Sequence, residues 1–296
     1  MNKKRILRTL LLIVVFTMLV CFVLMALNSS LVVRRYQIED DRITAPVRIA
    51  LLTDLHSCKY GENQQELIRA LDELSPDLVL LGGDIYDDEV PHDNTERFLS
   101  GIAGCYLCYY VTGNHEYWAG AEEWAHIKSM LEAHNITILS DQSTMISVNG
   151  NDINLCGVND PDVYMVTYDP EADPALHDRA KANKLETFFL QLDSVSQIAD
   201  NGNYTILLSH RPEHMQAYSS HPFDLVLCGH AHGGQWRIPG LLNGLYAPNQ
   251  GLFPSHAGGR YEENGTTMIV SRGLARESTK VPRIFNRPEL VLIDLQ

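Results

Sequence analysis

The sequence predicts a mixed α/β sandwich that forms one domain behind an apolar N-terminal segment. Three observations predict it: short apolar runs alternate with amphipathic helical segments, a hairpin pattern follows them, and 45% of the 296 residues are hydrophobic. Continuous apolar runs are typical of strands that are covered on both faces. A chain of this length can bury a large core. We therefore expect strands and helices to pack as layers of a single domain.

The first 35 residues combine an apolar run with basic charge. Residues 10–27 contain Thr17 as the one frankly polar side chain and would span ~27 Å as a helix, close to the thickness of a bilayer core. We expect an uncleaved transmembrane signal-anchor over residues 10–27. A cleaved signal peptide is the alternative, but the run is long for one and no small-residue cleavage pattern follows it.

The charge around this span predicts its orientation. Four basic side chains precede the span, Arg34 and Arg35 follow it, and no acidic residue occurs in the first 35 positions. The positive-inside rule then predicts a cytoplasmic N-terminus, residues 1–9, and a body outside the cytoplasm at the cell membrane. Residues 28–44 are expected to be a short polar linker, and residues 45–296 the folded domain.

Apolar periodicity predicts the elements of the body in order. The expected strands are residues 47–53, 78–81, 106–111, 204–208, 225–228 and 290–295. Helical spacing of apolar side chains predicts helices over residues 63–74, 119–134 and 180–199, the first ended by Ser75-Pro76. Two further strands, residues 145–148 and 153–157, flank a turn sequence that is typical of a hairpin. Residues 233–265 are rich in Gly and Pro and are predicted to be a functional or mobile loop.

The net charge excludes one class of partner. The whole chain has a formal charge of −14, and residues 36–296 hold 17 basic against 37 acidic side chains, a formal charge of −20. A body this acidic repels polyanions, so we expect no nucleic-acid partner. If the protein handles phosphate, something other than bulk charge attracts it, and a bound metal would do so.

Polar side chains follow five of the predicted strands at the point where each ends. They are Asp54 and His56, Asp84 and Asp87, Asn114 and His115, His210, and His230 and His232. Because ligands of α/β sheets bind beyond the carboxyl ends of strands, we expect these groups to converge. Seven of them are candidate metal ligands: Asp54, His56, Asp84, Asn114, His210, His230 and His232. That number exceeds one tetrahedral site and suits two Mn, Fe or Zn ions that share a carboxylate.

The ordered set D-x-H, G-D-x-x-D, G-N-H-E, H and G-H-x-H, which spans residues 54–232, resembles the calcineurin-like metallophosphoesterases. The N-terminal span and the sequence after Gly229 are similar to the membrane-anchored or exported, YkuE-type branch of that family. The resemblance implies a four-layer α/β/β/α sandwich. It also implies a hydrolase that attacks phosphorus with a hydroxide bridging two metals.

The resemblance further implies a role for each site residue. Asp54, His56, Asp84 and His232 would hold one metal, and Asp84, Asn114, His210 and His230 the other, with Asp84 bridging. His115 would not be a ligand but would act as a catalytic group at the leaving oxygen. Asp87 would orient His115 and fix its tautomer. Asp87 could instead belong to a solvated acidic face, because Asp88 and Glu89 adjoin it.

Three arginines and two cysteines are further candidates for a functional role. Arg211, Arg237 and Arg272 could clamp phosphate oxygens, although ordinary surface charge is the alternative for each. Cys105 and Cys108 match C-x-x-C, yet residues three apart on a strand point to opposite faces, so we expect buried unpaired thiols rather than a redox or zinc pair.

These observations predict a membrane-anchored, two-metal hydrolase of phosphomonoester, phosphodiester or pyrophosphate bonds. Apolar side chains in residues 241–253 suggest a lipid-linked or envelope substrate, or else they pack the loop down. The alternative function is a non-catalytic anchored protein that uses the same metals structurally. A nuclease is disfavoured by the acidic body.

Overall fold

The computed structural model describes residues 3–276 and 281–296, so the first two residues of the predicted cytoplasmic segment lie outside it. Within these residues the strands are, in chain order, β1 (Val32–Ile38), β2 (Val47–Leu52), β3 (Leu78–Gly82), β4 (Leu107–Val111), β5 (Thr137–Ile138), β6 (Gln142–Val148), β7 (Asn151–Gly157), β8 (Tyr204–Leu208), β9 (Leu225–Cys228), β10 (Tyr246–Ala247), β11 (Gly251–Leu252), β12 (Gly259–Glu263), β13 (Thr266–Val270) and β14 (Glu289–Leu295). The helices are α1 (Lys3–Ala26), α2 (Gln65–Leu74), α3 (Asp93–Ile102), α4 (Asn114–Trp118), α5 (Ala121–Ala133), α6 (Tyr164–Thr167), α7 (Pro174–Ala182), α8 (Lys184–Ser196) and α9 (Met215–Tyr218).

Two six-stranded sheets face each other. The first has the order β1-β14-β2-β3-β4-β5, and the second has the order β12-β13-β9-β8-β7-β6. The strands β2, β3 and β4 are parallel, as are β7, β8 and β9. Their carboxyl ends therefore reach the same edge of each sheet, where the polar residues of the sequence motifs begin.

Apolar alternation along the strands produces the four layers. In β2, Ile49 and Leu51 belong to the core between the two sheets, whereas Ala50 and Leu52 belong to the core under the helices of the first sheet. A third core packs α8 and α9 against the second sheet. A central strand that is covered on both faces buries side chains at successive positions, so its sequence is a nearly continuous run of apolar residues. The predicted α/β/β/α sandwich is confirmed.

The linker prediction for residues 28–44 is wrong. This stretch contains β1, which pairs in parallel with β14 at the edge of the first sheet, from Val32 with Glu289 to Ile38 with Leu295. A strand whose partner lies at the other end of the sequence has no turn beside it, so local signals do not reveal it. The folded body thus begins close to α1.

Other elements differ from prediction in detail. The long helix over 180–199 is divided at Asn183 into α7 and α8, followed by a 3-10 turn over Gln197–Asn201. The predicted loop 233–265 contains β10, β11 and β12. Cys105 and Cys108 are both free thiols, but only Cys108 is buried, because Cys105 lies in the turn before β4.

Helix α1 is exposed along nearly its whole length. The stretch Leu7–Ala26 has 20 residues and a mean hydropathy of 2.9. By length and composition it could be a membrane span or a signal sequence. Its last turn contacts the body, since the Phe285 N–H donates to the Ala26 carbonyl at 2.7 Å.

Candidate metal centre

The polar strand ends of both sheets meet in one buried cluster. Asp54 and His56 follow β2, Asp84 follows β3, Asn114 begins α4, His210 follows β8, and His230 and His232 follow β9. Each of these seven side chains is buried. The structure therefore brings together all of the residues that the sequence singled out as candidate ligands.

Two ligand groups in the cluster share Asp84, and a third, formed by His56, Asp87 and His115, shares His56 with the first. Ligand atoms of Asp54, His56, Asp84 and His232 lie within 4.8 Å of one another, and so do those of Asp84, His210 and His230. The Asp84 Oδ2 atom lies 3.0 Å from His210 Nε2 and 3.6 Å from His56 Nε2. One carboxylate oxygen is thus placed between the two groups, which is the position of a bridging ligand.

The hydrogen bonding of the cluster tests whether metals fit. Four of its buried atoms have no hydrogen-bond partner among the described residues: Asp54 Oδ2, His56 Nε2, Asn114 Oδ1 and His232 Nδ1. Asp84 Oδ2 and His210 Nε2 have only their 3.0 Å contact with each other. An unpaired buried polar atom costs ~1–3 kcal/mol, so several in one place indicate a bound ligand. Carboxylate, amide and imidazole atoms are donors that Mn, Fe and Zn accept. The cluster fits two divalent cations.

Hydrogen bonds to residues outside the two groups that share Asp84 fix the orientation of the imidazole rings. The His56 Nδ1 atom lies 2.8 Å from Asp87 Oδ2, and His210 Nδ1 donates to the Gly82 carbonyl at 2.8 Å. The His230 Nε2 atom lies between Asn249 Oδ1 at 2.9 Å and Arg211 Nη1 at 3.0 Å. At His56 and His210, an Nδ1 that donates its N–H outward leaves Nε2 for the cluster, as metal ligation demands.

The backbone of the cluster is strained. Positive φ values of 47–64° occur at Asp54, His56, Asp84, His230 and His232. Non-glycine residues rarely adopt this left-handed backbone region, and the residues that do are concentrated at functional sites. Gly113 shows how tightly the loops pack, because a Cβ added there would meet Asp84 Oδ1 at 2.1 Å.

Glu116 joins the loops that present Asp84 and Asn114. Its carboxylate accepts the backbone N–H groups of Asp84, Ile85, Tyr86 and Gly113 at 2.8–3.1 Å, and the Tyr110 hydroxyl at 2.5 Å. Sequence reasoning assigned it no role, although it is the last letter of the G-N-H-E motif. Burial, followed by repulsion from Asp84, raises its pKa.

Burial and neighbouring charges shift the pKa values of the cluster in opposite directions. Burial raises the pKa of Asp54. Burial acts in the same direction on Asp84, but His210 and His115 hold the pKa of that carboxyl well below its usual range. Burial would lower the pKa of His210, whereas Asp84 and Asp54 raise it to about 10, so a cation that binds there has to displace a proton from this ring. A buried site with competing carboxylates and imidazoles is typical of a metal or catalytic centre.

The structure corrects the predicted partner of His115. Its Nδ1 atom lies 2.5 Å from Asp88 Oδ1 and 3.7 Å from Asp87 Oδ2. Asp87 is turned away because its Oδ1 accepts the N–H groups of Glu89 and Val90 at 2.9 Å each, which directs Oδ2 to His56. The carboxylate that orients His115 is therefore Asp88.

A cleft of about 420 Å³ opens on the cluster. His56, His115 and His232 lie on its floor, and the rim is partly apolar, with Trp118, Tyr246, Pro248 and Val281. The Trp118 ring packs against His115 at 4.8 Å between centroids. The cleft therefore presents histidines and the carboxylates of Asp87, Asp88 and Glu89 beside an apolar surface.

The three candidate arginines are all engaged with protein groups. Arg211 is buried in a bidentate ion pair with Asp160, and its Nη1 lies 2.8 Å from Asn249 Oδ1 and 3.0 Å from Nε2 of the candidate ligand His230. Arg272 Nε lies 3.1 Å from buried Glu289. Arg237 donates to Asn243 and to the Gly233 carbonyl, and burial lowers its pKa to about 10. The phosphate-clamp prediction gains no support at any of the three.

The fold and the site define a class. A four-layer sandwich with two ligand groups that share one carboxylate at the strand ends is the architecture of a two-metal phosphoesterase. A profile of the calcineurin-like phosphoesterase family matches residues 47–234. The chain belongs to this family of metal-dependent phosphoester hydrolases, and the predicted cofactor of two divalent metal ions is confirmed at the level of the family.

Three relatives illustrate the likeness. An uncharacterized metallophosphoesterase of Helicobacter pylori is 31% identical over 79% of this chain and 55% of its own length. Phosphodiesterase YaeI of Escherichia coli is 27% identical over 85% of this chain and 83% of its own length. The metallophosphoesterase YkuE of Bacillus subtilis is 26% identical over 84% and 79%. The chain thus spans about half the length of the Helicobacter pylori relatives.

Proposed function

We propose that this chain is a membrane-anchored phosphodiesterase that uses two divalent cations. The proposal rests first on the buried ligand groups and their unpaired atoms, and second on the similarity to a relative named phosphodiesterase. A cleft with apolar rim residues suits a phosphate that has a second substituent, which is why we propose diesters above monoesters.

The ligands are proposed from their positions. Asp54, His56, Asp84 and His232 hold one cation, and Asp84, Asn114, His210 and His230 hold the other. When bound, the two cations supply Lewis acidity toward a phosphoryl oxygen and lower the pKa of water. They also offset the charges of Asp54 and Asp84, so an acidic body can admit a phosphate group.

The position of His115 favours a catalytic site over a structural metal site. Its ring lies at the cleft, outside the two groups that share Asp84, and its Nδ1 lies 2.5 Å from Asp88 Oδ1. That contact leaves Nε2 to face a substrate. A histidine in this position can give a proton to the leaving oxygen or donate a hydrogen bond to it. A structural metal site would not need the His115 and Asp88 pair beside its ligands.

We also propose that α1 crosses the membrane, with residues 1–9 in the cytoplasm and the body, residues 32–296, outside. The excess of basic residues before the span supports this orientation. Protease accessibility of the body in intact cells tests it, and protection of the body would reverse the orientation.

The function is tested on the full chain purified in detergent. Elemental analysis measures bound metal, and bis-p-nitrophenyl phosphate measures hydrolysis. Asp84→Ala is expected to lose metal and activity on every substrate, whereas His115→Ala keeps its metal and loses most turnover on an alkyl diester, whose leaving oxygen needs a proton. His126→Ala, an exposed histidine outside the ligand groups, is the matched control. Intact metal without turnover on mono-, di- and pyrophosphates would favour the non-catalytic scaffold instead.

A further inference from the structure

An ordered loop of the body exposes large apolar side chains. Ile238, Leu241, Leu252 and Phe253 are 50%, 82%, 67% and 67% exposed. Together with Trp236 we name them the apolar loop surface. Exposed apolar groups that cluster in this way usually mark a contact with a membrane or a partner.

The loop itself is well structured. Leu245 N–H donates to the carbonyls of Gly234 and Trp236, and Phe253 N–H donates to the Leu245 carbonyl at 2.8 Å. Leu242, which bridges to Ile238, is half-buried, so the loop has its own packing. The outward side chains therefore do not result from missing backbone structure, and they require another explanation.

Residues 282–285 link the apolar loop surface to the end of α1. The Phe22 and Phe285 rings lie 5.2 Å apart, between centroids. The segment that holds Phe285 also pairs with the loop: Arg237 N–H donates to the Ile284 carbonyl at 2.9 Å, and Trp236 Nε1 donates to the Pro282 carbonyl at 3.0 Å. The end of α1 and the loop therefore lie on the same side of the body.

Basic and acidic side chains are mixed on this side. Arg34 and Arg35 follow α1, but Arg34 Nε lies 3.7 Å from Glu289, and Glu62, Glu66 and Glu73 line a groove with Leu31 and Val33. Arg287 donates to Ser30 and to the Leu31 carbonyl at 2.7–3.0 Å, beside the point where α1 ends. The apolar side chains and their link to α1, rather than the charge, are therefore what suit a lipid surface.

The same loop forms part of the cleft. Tyr246, which is 50% exposed, lies on the cleft rim and pairs with Leu252 of the apolar loop surface. One short hairpin thus connects the exposed apolar side chains to the metal centre.

From these contacts we propose that the apolar loop surface is a second membrane contact, inserted into the lipid headgroup region of the bilayer that α1 crosses. The cleft then opens at the bilayer surface, and the substrate is the phosphate group of an amphiphile held there. This proposal rests on the proposed membrane span and deepens the proposed function, because it names where the substrate lies.

Depth-dependent fluorescence quenching tests it on the full chain. The exposed thiols Cys21 and Cys105 are replaced by serine, and an environment-sensitive dye is attached at a single new cysteine, Phe253→Cys or Leu241→Cys. The chain is reconstituted into vesicles of equal parts phosphatidylethanolamine and phosphatidylglycerol, with a lipid spin-labelled high on its acyl chain. Leu27→Cys, at the end of α1, reports the span, and Met145→Cys, exposed on β6, is the matched body control.

Because amphipathic surfaces insert ~5–10 Å below the headgroups, the dyes at 253 and 241 are expected to lose about half of their emission, like the dye at 27. The dye at 145 should lose none. Quenching at 27 with none at 253 or 241 would overturn the second contact and point to a protein partner for the surface. No quenching at 27 would overturn the span and the contact together. Neither readout depends on hydrolysis, so a failure of the enzymatic proposal remains distinguishable.

Discussion

Asp87 and Asp88 are adjacent in the sequence but contact different histidines. Asp87 Oδ2 lies 2.8 Å from His56 Nδ1, and Asp88 Oδ1 lies 2.5 Å from His115 Nδ1. One carboxylate therefore supports a proposed metal ligand, and its neighbour supports the proposed catalytic histidine. The two substitutions that remove them should separate metal binding from catalysis.

Asp88→Asn is expected to lower kcat ~10–100-fold, because a general acid contributes ~10²–10⁴-fold and loses part of that when its orientation is relaxed. KM and bound metal should stay near the parent values. The loss should be larger with an alkyl leaving group than with p-nitrophenolate, which leaves without a proton. Steady-state kinetics over a range of pH measure it, with Asp93→Asn on α3 as the exposed control. Parent-like kcat on alkyl diesters would remove Asp88 from the mechanism.

Asp87→Asn is expected to weaken metal binding by ~10–100-fold, the usual cost of losing the outer partner of a ligating histidine. Activity should return when metal is added in excess. Competition with a chelator, followed by elemental analysis, measures the affinity. If excess metal failed to restore turnover while occupancy was complete, Asp87 would have a direct catalytic role instead.

Glu116→Gln is expected to lower the free energy of unfolding by ~2–4 kcal/mol. The amide places N–H donors against backbone N–H groups that now share a buried carboxylate, and it leaves some of them unpaired. Denaturant unfolding measures the change. Glu122→Gln, on the exposed face of α5, should stay within ~0.5 kcal/mol of the parent. Equal stability of both variants would contradict this role of Glu116.

His214 predicts a loss of stability in acid. Burial, followed by repulsion from Arg211, lowers its pKa from 6.5 to about 4, and its ring packs against Phe188 and Phe189. Above pH 6.5 neither the folded nor the unfolded ring is protonated, whereas between 6.5 and about 4 only the unfolded ring binds a proton. The free energy of unfolding should therefore fall by up to ~1.4 kcal/mol for each pH unit in that range.

His214→Phe keeps an aromatic ring at this position and removes the titration. The parent should lose stability faster than the variant between pH 6.5 and about 4, and the two should run parallel above pH 6.5. Urea unfolding at several pH values measures both. Parallel curves throughout that range would show that His214 takes up its proton equally well in the folded state.

Much of the fold and the convergence of the candidate ligands could be predicted because both depend on local signals. Apolar runs such as residues 47–52 identify buried strands, and the groups that follow them identify the edge where a ligand binds. The seven candidate ligands converge because the parallel strands end together, a consequence of topology that alternating strands and helices already imply.

What the sequence could not give depends on side-chain direction and on distant pairing. Spacing cannot distinguish Asp87 from Asp88, since the turn that rotates Asp87 forms through hydrogen bonds to Glu89 and Val90. Arg211 follows a ligand in the sequence, yet its partner Asp160 comes from another loop. Likewise β1 has no neighbour in sequence to pair with.

The place of β14 in the first sheet has a consequence for synthesis. It lies between β1 and β2, so that Val32 pairs with Glu289 while Val47 pairs with Leu295. β1 and β2 are therefore held apart by a strand that is synthesised much later than either. Contacts of such large sequence separation form slowly and only once both partners exist. The pairing of β1 and β2 with β14 cannot form until residues 289–295 have left the ribosome, and until then the first sheet is incomplete.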